Sequence, residues 1–257
     1  MSTTPEPPDQ PRIDQTVARD AAYWAKLVPT LKVGEVPAEA LNLNVTGRRA
    51  VGPVQGFGQM WQKTYRIQLG TAATPVEVIR VWKERFATFW PERNWFYGPL
   101  TGIAPGEVAV LNLTMPGGLR LSTGVLVLYA DEECFTLMTP EGHQFAGWIT
   151  FSAFEEEGAT VAQAHVLARA NDPLYELGFM VGFLRVEDRF WTHTLKSLAA
   201  HFGVEGEVQR TAVRLDRKRQ WSKAGNIRYN AFIRSALYTT AAPVRRLSKT
   251  VRSRQAP

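Results

Sequence analysis

Four histidines, one cysteine and a few closely spaced polar groups are the residues of this 257-residue chain that could carry chemistry. His143, His165, His193 and His201 lie in no HExxH motif and beside no cysteine. Metal-ligand spacing is therefore missing, and neither a metal nor another cofactor is expected. His193 and His201, eight apart on a candidate helix, read as surface decoration. Glu141-Gly142-His143 falls in a candidate hairpin, where the Glu and His could exchange a proton with a ligand at a cavity mouth. A plain polar turn uses the same residues. Gln163, His165 and Arg169 share one face of an alternating segment whose other face is Ala162, Ala164, Val166 and Ala168. Turned into a pocket, the three would be convergent polar groups in an apolar site. Turned to water they are surface residues, and alternation does not choose between the two. Ser152 lacks the flanking glycines of a nucleophile elbow, and Cys134 has no basic neighbour in sequence to activate it. Gly56-Phe57-Gly58 leads into a strand rather than a helix, so it is no dinucleotide fingerprint. No residue is assigned a catalytic role.

Aromatics are the second group of interest. Trp90, Trp95, Phe96 and Tyr97 crowd a connection that follows a helix, and Tyr129 and Trp148 sit in candidate strands. Trp95, Tyr97, Tyr129 and Trp148 are candidates, with His143, Gln163, His165 and Arg169, for contact with an apolar ligand. Ordinary core packing is the alternative use of such rings.

The elements that must position these groups can be read from periodicity. Residues 1–12 hold four prolines and no apolar period, which predicts a disordered lead-in. Ile13, Val17, Ala21, Trp24 and Val28 recur at helical spacing up to Pro29, and Leu41, Leu43 and Val45 alternate as in a strand. Tyr65, Ile67 and Leu69 alternate with polar neighbours, giving a half-buried strand. Thr74-Pro75-Val76-Glu77 then supplies a cap, a first-turn proline and a capping-box Glu for a helix carrying Ile79, Trp82, Phe86, Phe89 and Trp90. Strands are expected over 108–113, 119–130, 134–139, 145–154 and 160–170, joined by two- to five-residue linkers that make an antiparallel meander. Asn171-Asp172-Pro173 opens a long helix whose stripe runs Leu174, Leu177, Val181, Leu184, Trp191, Leu195, Leu198 and Phe202. Gly178 and Gly182 weaken its first half enough for a kink, and Gly203 ends it.

Charge divides the chain. Residues 210–257 contain thirteen Lys or Arg and one acid, a net of +12, which leaves −6 for the rest. Within this tail, residues 227–240 have an amphipathic helical pattern, and Arg245, Arg246, Lys249 and Arg252 follow Pro243. With Arg228 and Arg234 these are candidates for contact with an anionic membrane surface. Nucleic acid is a lesser alternative partner, and docking of the helix on the domain is another. A single cysteine excludes an internal disulfide framework. With no signal-peptide pattern and no run of apolar residues long enough to span a bilayer, a cytoplasmic protein is expected, peripheral to the membrane at most.

The order strand, helix, meander, long C-terminal helix, together with Phe145-Ala-Gly-Trp-Ile-Thr-Phe-Ser-Ala-Phe154 and Ala168-Arg-Ala-Asn-Asp-Pro173, resembles a bacterial branch of the helix-grip superfamily of START lipid-transfer domains, polyketide cyclases and birch-pollen-allergen-like proteins. The resemblance covers residues 61–203. It implies an α+β fold, with an antiparallel sheet curved around the long helix and a cavity between them for an apolar or amphipathic molecule. Residues 13–60 would be an N-terminal extension and 204–257 a basic tail. Three functions follow: binding of a hydrophobic small molecule or lipid without catalysis, a cyclase- or hydrolase-type enzyme using His143 or His165 as base, and an interaction module acting through the tail.

Overall fold

The structure, a computed structural model, describes residues 21–99, 101–115 and 118–241, with only the backbone at Phe183. Eight strands form a single antiparallel sheet. They are β1 (Met60–Gly70), β2 (Trp95–Tyr97), β3 (Val108–Thr114), β4 (Arg120–Ala130), β5 (Cys134–Met138), β6 (Phe145–Glu156), β7 (Ala159–Ala170) and β8 (Gln209–Asp216). Their spatial order is β2-β3-β4-β5-β6-β7-β1-β8. The helices are α1 (Pro75–Glu84), α2 (Pro173–Gly178), α3 (Leu184–His201) and α4 (Ala231–Thr240). This is the helix-grip arrangement: α1 and α3 lie against the inner face of the curved sheet.

The β3–β7 meander follows from its alternation and short linkers, as expected. Two strands do not. Trp95–Tyr97 is a short edge strand on β3 rather than an aromatic loop. Residues 209–216, expected in a basic tail, return to the sheet and pair with β1 from Met60↔Asp216 to Arg66↔Gln209. Strand parity then sorts the side chains. Ala109 and Leu111 of β3 join the large inner core with Trp82, Phe135, Phe151, Leu195 and Leu198. Val108 and Val110 point outward, into a smaller core with Leu31, Val45 and Leu126.

The N-terminal extension covers that outer face without the expected helix or strand. Of residues 21–28, the described part of the expected helix, only Ala21–Tyr23 turn helically. Trp24 instead bridges to Tyr129, its ring edge-on at 4.9 Å, and the Ala25 N–H donates to Leu128 O. Ile13 and Val17, like the proline-rich lead-in, lie outside the described residues. Residues 41–45 do not form a strand because side chains of the sheet take their backbone groups. Asn112 bonds both the N–H and the carbonyl of Leu41 (2.8 and 3.0 Å), and Ser122 Oγ accepts from Leu43 N (3.2 Å).

Both helices start at the predicted caps. Thr74 accepts from Glu77 N (3.3 Å), and Asp172 Oδ1 accepts from the N–H groups of Leu174 (2.9 Å) and Tyr175 (3.1 Å). The long helix is broken, however. A π-turn over Phe179–Phe183 includes Gly182 at φ 115°, a left-handed value that favours glycine. The extra residue in the turn rotates the apolar stripe, so Leu174, Leu177 and Val181 face solvent and the deep burial falls to Leu195 and Leu198.

Asp172 also reaches across to the C-terminal segment. Its Oδ2 accepts from Asn230 Nδ2 (2.8 Å), and Asn230 in turn caps α4 by accepting from Ile233 N (3.0 Å). Beside this pair the Ala231 N–H donates to Gly142 O (2.9 Å). Gly142, at φ 87°, leaves no space for a Cβ, which would sit 2.0 Å from Tyr229 O. Asp172→Ala removes one helix cap and leaves a buried amide donor unpaired. The variant should unfold about 2–4 kcal/mol more easily in urea, with amide protection lost across α4 as well as α2.

Candidate functional site

Between the inner face of the sheet and the broken helix lies an apolar cavity of about 130 Å³. Leu111, Val125, Leu137, Ile149 and Val166 form its sheet side. Its helix side is Phe190 and Trp191, in edge-to-face contact at 4.8 Å. A second lobe of about 120 Å³ adjoins it, and Phe145, Val166, Ala168, Phe179 and Glu187 line both. Phe145 and Phe179 stack at 4.7 Å, so the π-turn contributes a ring to this shared wall. Each lobe is smaller than the roughly 300 Å³ at which drug-sized sites begin.

His143 is one of the polar groups on this lining. It is buried, and its Nδ1 accepts from the Phe145 N–H at 3.0 Å while lying 3.2 Å from Phe145 O. Burial pushes the imidazole down to about 4, so it is neutral near pH 7.

Glu187 is the charged group on the lining, with its side chain 8% exposed. It belongs to a four-charge network that fastens α3 to β1 and β8. Lys63 Nζ donates to Glu187 Oε2 (2.6 Å) and to Asp188 Oδ1 (3.1 Å). Asp188 also accepts from Tyr65 OH (2.7 Å) and from Arg210 Nη1 (2.6 Å). Two cations thus meet two carboxylates. Burial opposes the Lys63 ammonium, but Glu187 and Asp188 outweigh it and hold its pKa above the ordinary value. Burial raises Glu187, which Lys63 opposes.

The residues anticipated from sequence divide clearly. His143 and Trp148 line the cavity. Gln163 and His165 do not, because the alanine face of β7 is the inner one. Gln163 instead accepts from Arg66 Nε (2.7 Å), and His165 is pushed down by burial and by Arg66. Arg169 borders the second lobe, yet its guanidinium bonds Gly58 O (2.7 Å) and Lys218 O (2.9 Å) and pairs with Asp216. Trp95 lies under Arg120, Tyr97 packs against the outer core, and Tyr129 holds Trp24. Glu141 turns to the exposed Arg49 (Nε–Oε1 2.9 Å) and makes no pair with His143. In the basic segment Arg228 sits over Tyr229 and Arg234 lies on α4; Arg245, Arg246, Lys249 and Arg252 fall outside the described residues.

Lys63 and Glu187 escaped notice, although both had a signal. Lys63 has the strand parity of Tyr65, Ile67 and Leu69, and Glu187 lies three residues from Leu184 and four from Trp191 on the buried stripe.

No family model matches the chain, and no curated protein does. Solved structures do. A START superfamily protein from Mycobacterium smegmatis is 20% identical, over 57% of this chain and 98% of that one, with a TM-score of 0.39. The di-domain ARO/CYC StfQ from the steffimycin biosynthetic pathway is 12% identical, over 57% of this chain and 53% of its own, at 0.45. A protein from Arthrobacter aurescens is 10% identical, over 55% and 86%, at 0.41. The helix-grip assignment rests on the strand order and helix placement described above.

Two measurements test the electrostatics. Lys63→Met leaves the buried Glu187 carboxylate without its cation, while Asp188 keeps Arg210, and should lower the unfolding free energy by about 3–5 kcal/mol in denaturant titrations. For His143 the folded pKa lies below the ordinary 6.5. Its stabilisation is full above pH 6.5 and is lost as pH falls through about 4, a change of about 3 kcal/mol. Across that window His143→Gln should lose stability less steeply than the unmodified chain.

Proposed function

We propose that the protein binds a hydrophobic or amphipathic small molecule in the two-lobed cavity, without transforming it. The supporting observation is an apolar space between sheet and helix that carries a few inward polar groups, the usual makeup of a ligand site. The two histidines considered as bases argue for binding over chemistry. His143, held near 4, is a poor base at neutral pH, and His165 lies off the cavity. The Cys134 thiol, pushed up to about 12 chiefly by burial, is a poor nucleophile. A lipid is one member of the ligand class, and its release or uptake would pass the π-turn, whose Phe179 walls both lobes.

Contact with an anionic membrane surface is proposed for the C-terminal segment. Described support is limited to α4, where Ile233, Leu237 (64% exposed) and Tyr238 present apolar surface beside Arg234. No helix among the described residues is long and apolar enough to cross a membrane.

Ala168 borders both lobes, so Ala168→Phe fills the space at an overpacking cost of about 1–3 kcal/mol. The chain should bind Nile red, a neutral apolar fluorophore, and the variant should bind it at least tenfold more weakly. Equal binding by the two would remove the cavity reading. For the membrane, Leu237→Asp should abolish co-flotation with phosphatidylserine vesicles at low salt. Flotation unchanged by that substitution would exclude α4 as the contact.

A further inference from the structure

A polar cleft of about 250 Å³ lies apart from the two lobes and shares no lining residue with either. Stretches of chain distant in sequence build it: residues 49–55, the turn at Glu141 with Asn171, and the 3₁₀ helix Trp221–Tyr229. Asn226 ties them together, its Nδ2 donating to Gln55 O (2.8 Å) and to Asn171 O (2.9 Å).

Charge around this cleft is unbalanced. Its one lining carboxylate, Glu141, is taken by Arg49, whose Nε donates to Oε1 at 2.9 Å. Lys223 lines the cleft half-buried, and no carboxylate among the described residues pairs with it. Tyr229, also in the lining, has the guanidinium groups of Arg48 and Arg228 over its ring at 4.8 and 4.7 Å. Two further cations therefore stand beside the cleft. Burial, and after it repulsion from Arg234, pushes Arg48 below the ordinary arginine value against the pull of Glu141 and Tyr229. Hydrogen-bond donors are in surplus as well. Asn171 is 1% exposed, and its Nδ2 is a buried donor with no partner among the described residues. Gln55 Oε1 accepts from Gly52 N (2.9 Å), which leaves the NH2 end of that amide for a ligand.

We propose that this cleft binds a phosphomonoester, with Lys223 as its charge anchor. Such a group brings nearly two negative charges near pH 7 and three acceptor oxygens, which suits surroundings rich in cations and N–H donors. A carboxylate brings one charge and two oxygens, and a neutral polyol brings no charge. The volume leaves room for a small polar body attached to the phosphate. A soluble metabolite and a lipid head group offer this same chemistry.

Calorimetric titration of the full chain with glycerol 3-phosphate, at low salt and at pH 8 where the phosphate is a dianion, provides the first arm. The unmodified chain should bind it, and should bind glycerate, a three-carbon carboxylate, roughly tenfold more weakly. Lys223→Gln should weaken phosphate binding by roughly fivefold or more, whereas Lys32→Gln, which removes an exposed charge outside the lining, should change it less than about twofold. The second arm compares the same variants in co-flotation with phosphatidylcholine vesicles that carry phosphatidic acid. Dependence on Lys223 in the titration assigns a soluble phosphomonoester, and dependence in flotation alone assigns the lipid head group; either upholds the site. No dependence on Lys223 in both arms, or an equal loss in Lys32→Gln, overturns it. Equal binding of glycerate overturns the phosphomonoester. Should Lys223→Gln not fold, the glycerate comparison decides alone. Neither arm involves the apolar cavity, whose ligand-binding reading stands or falls on Nile red.

Discussion

The ion network between Lys63, Glu187, Asp188 and Arg210 is the interaction on which the rest of the interior depends. A glycine at φ 115° inside a π-turn interrupts the helix that should grip the sheet, and Leu174 and Leu177 before the break face water. Packing alone therefore cannot fix where α3 begins. The first turn of α3 is instead held by two carboxylates bonded to β1 and β8. Farther along, Leu195 and Leu198 pack into the core in the ordinary way. Fixed at one end by charge and at the other by apolar burial, the helix spans the intervening space, and the cavity lies there. Such an arrangement gives little net stability, since desolvating Lys63 and Glu187 offsets much of their attraction. What it fixes is position.

A second set of polar contacts joins the segments around Leu41 and Asn230 to the rest of the fold. Asp172 and Asn230 cap two helices and bond each other, Gly142 admits residue 229 at backbone distance, and Asn112 and Ser122 hold the strandless segment around Leu41. The basic C-terminal segment, as far as Ala241, is thus partly a structural member. Arg210 illustrates the change most directly: counted in the sequence as tail charge, it pairs with Asp188 at the exposed end of the network.

Much of the fold was legible because its local signals agree. The meander, both capped helix starts and the weakness at Gly178 and Gly182 follow from periodicity, turn residues and glycine content. What could not be read depends on partners distant in sequence. Whether Leu41 to Val45 forms a strand is decided by side chains seventy to eighty positions away, and the helical spacing of residues 13–28 yields, from Trp24 onward, to pairing with Tyr129. The inward face of β7 was undetermined because period two marks two faces without saying which is covered. His143 was visible as a candidate for the wrong reason: it reaches the cavity as a buried, neutral ring, while its supposed partner Glu141 pairs with Arg49. Lys63 and Glu187, charged residues at buried phases of a strand and a helix, were the stronger signal.

The central claim is that the space between sheet and broken helix is a ligand site rather than a packing defect. Native mass spectrometry of the full chain tests it most directly, on protein as purified and after incubation with excess octanol. The account predicts a population heavier than the bare chain by one small apolar molecule, with the added mass lost on denaturation. Bare chain under both conditions would contradict it.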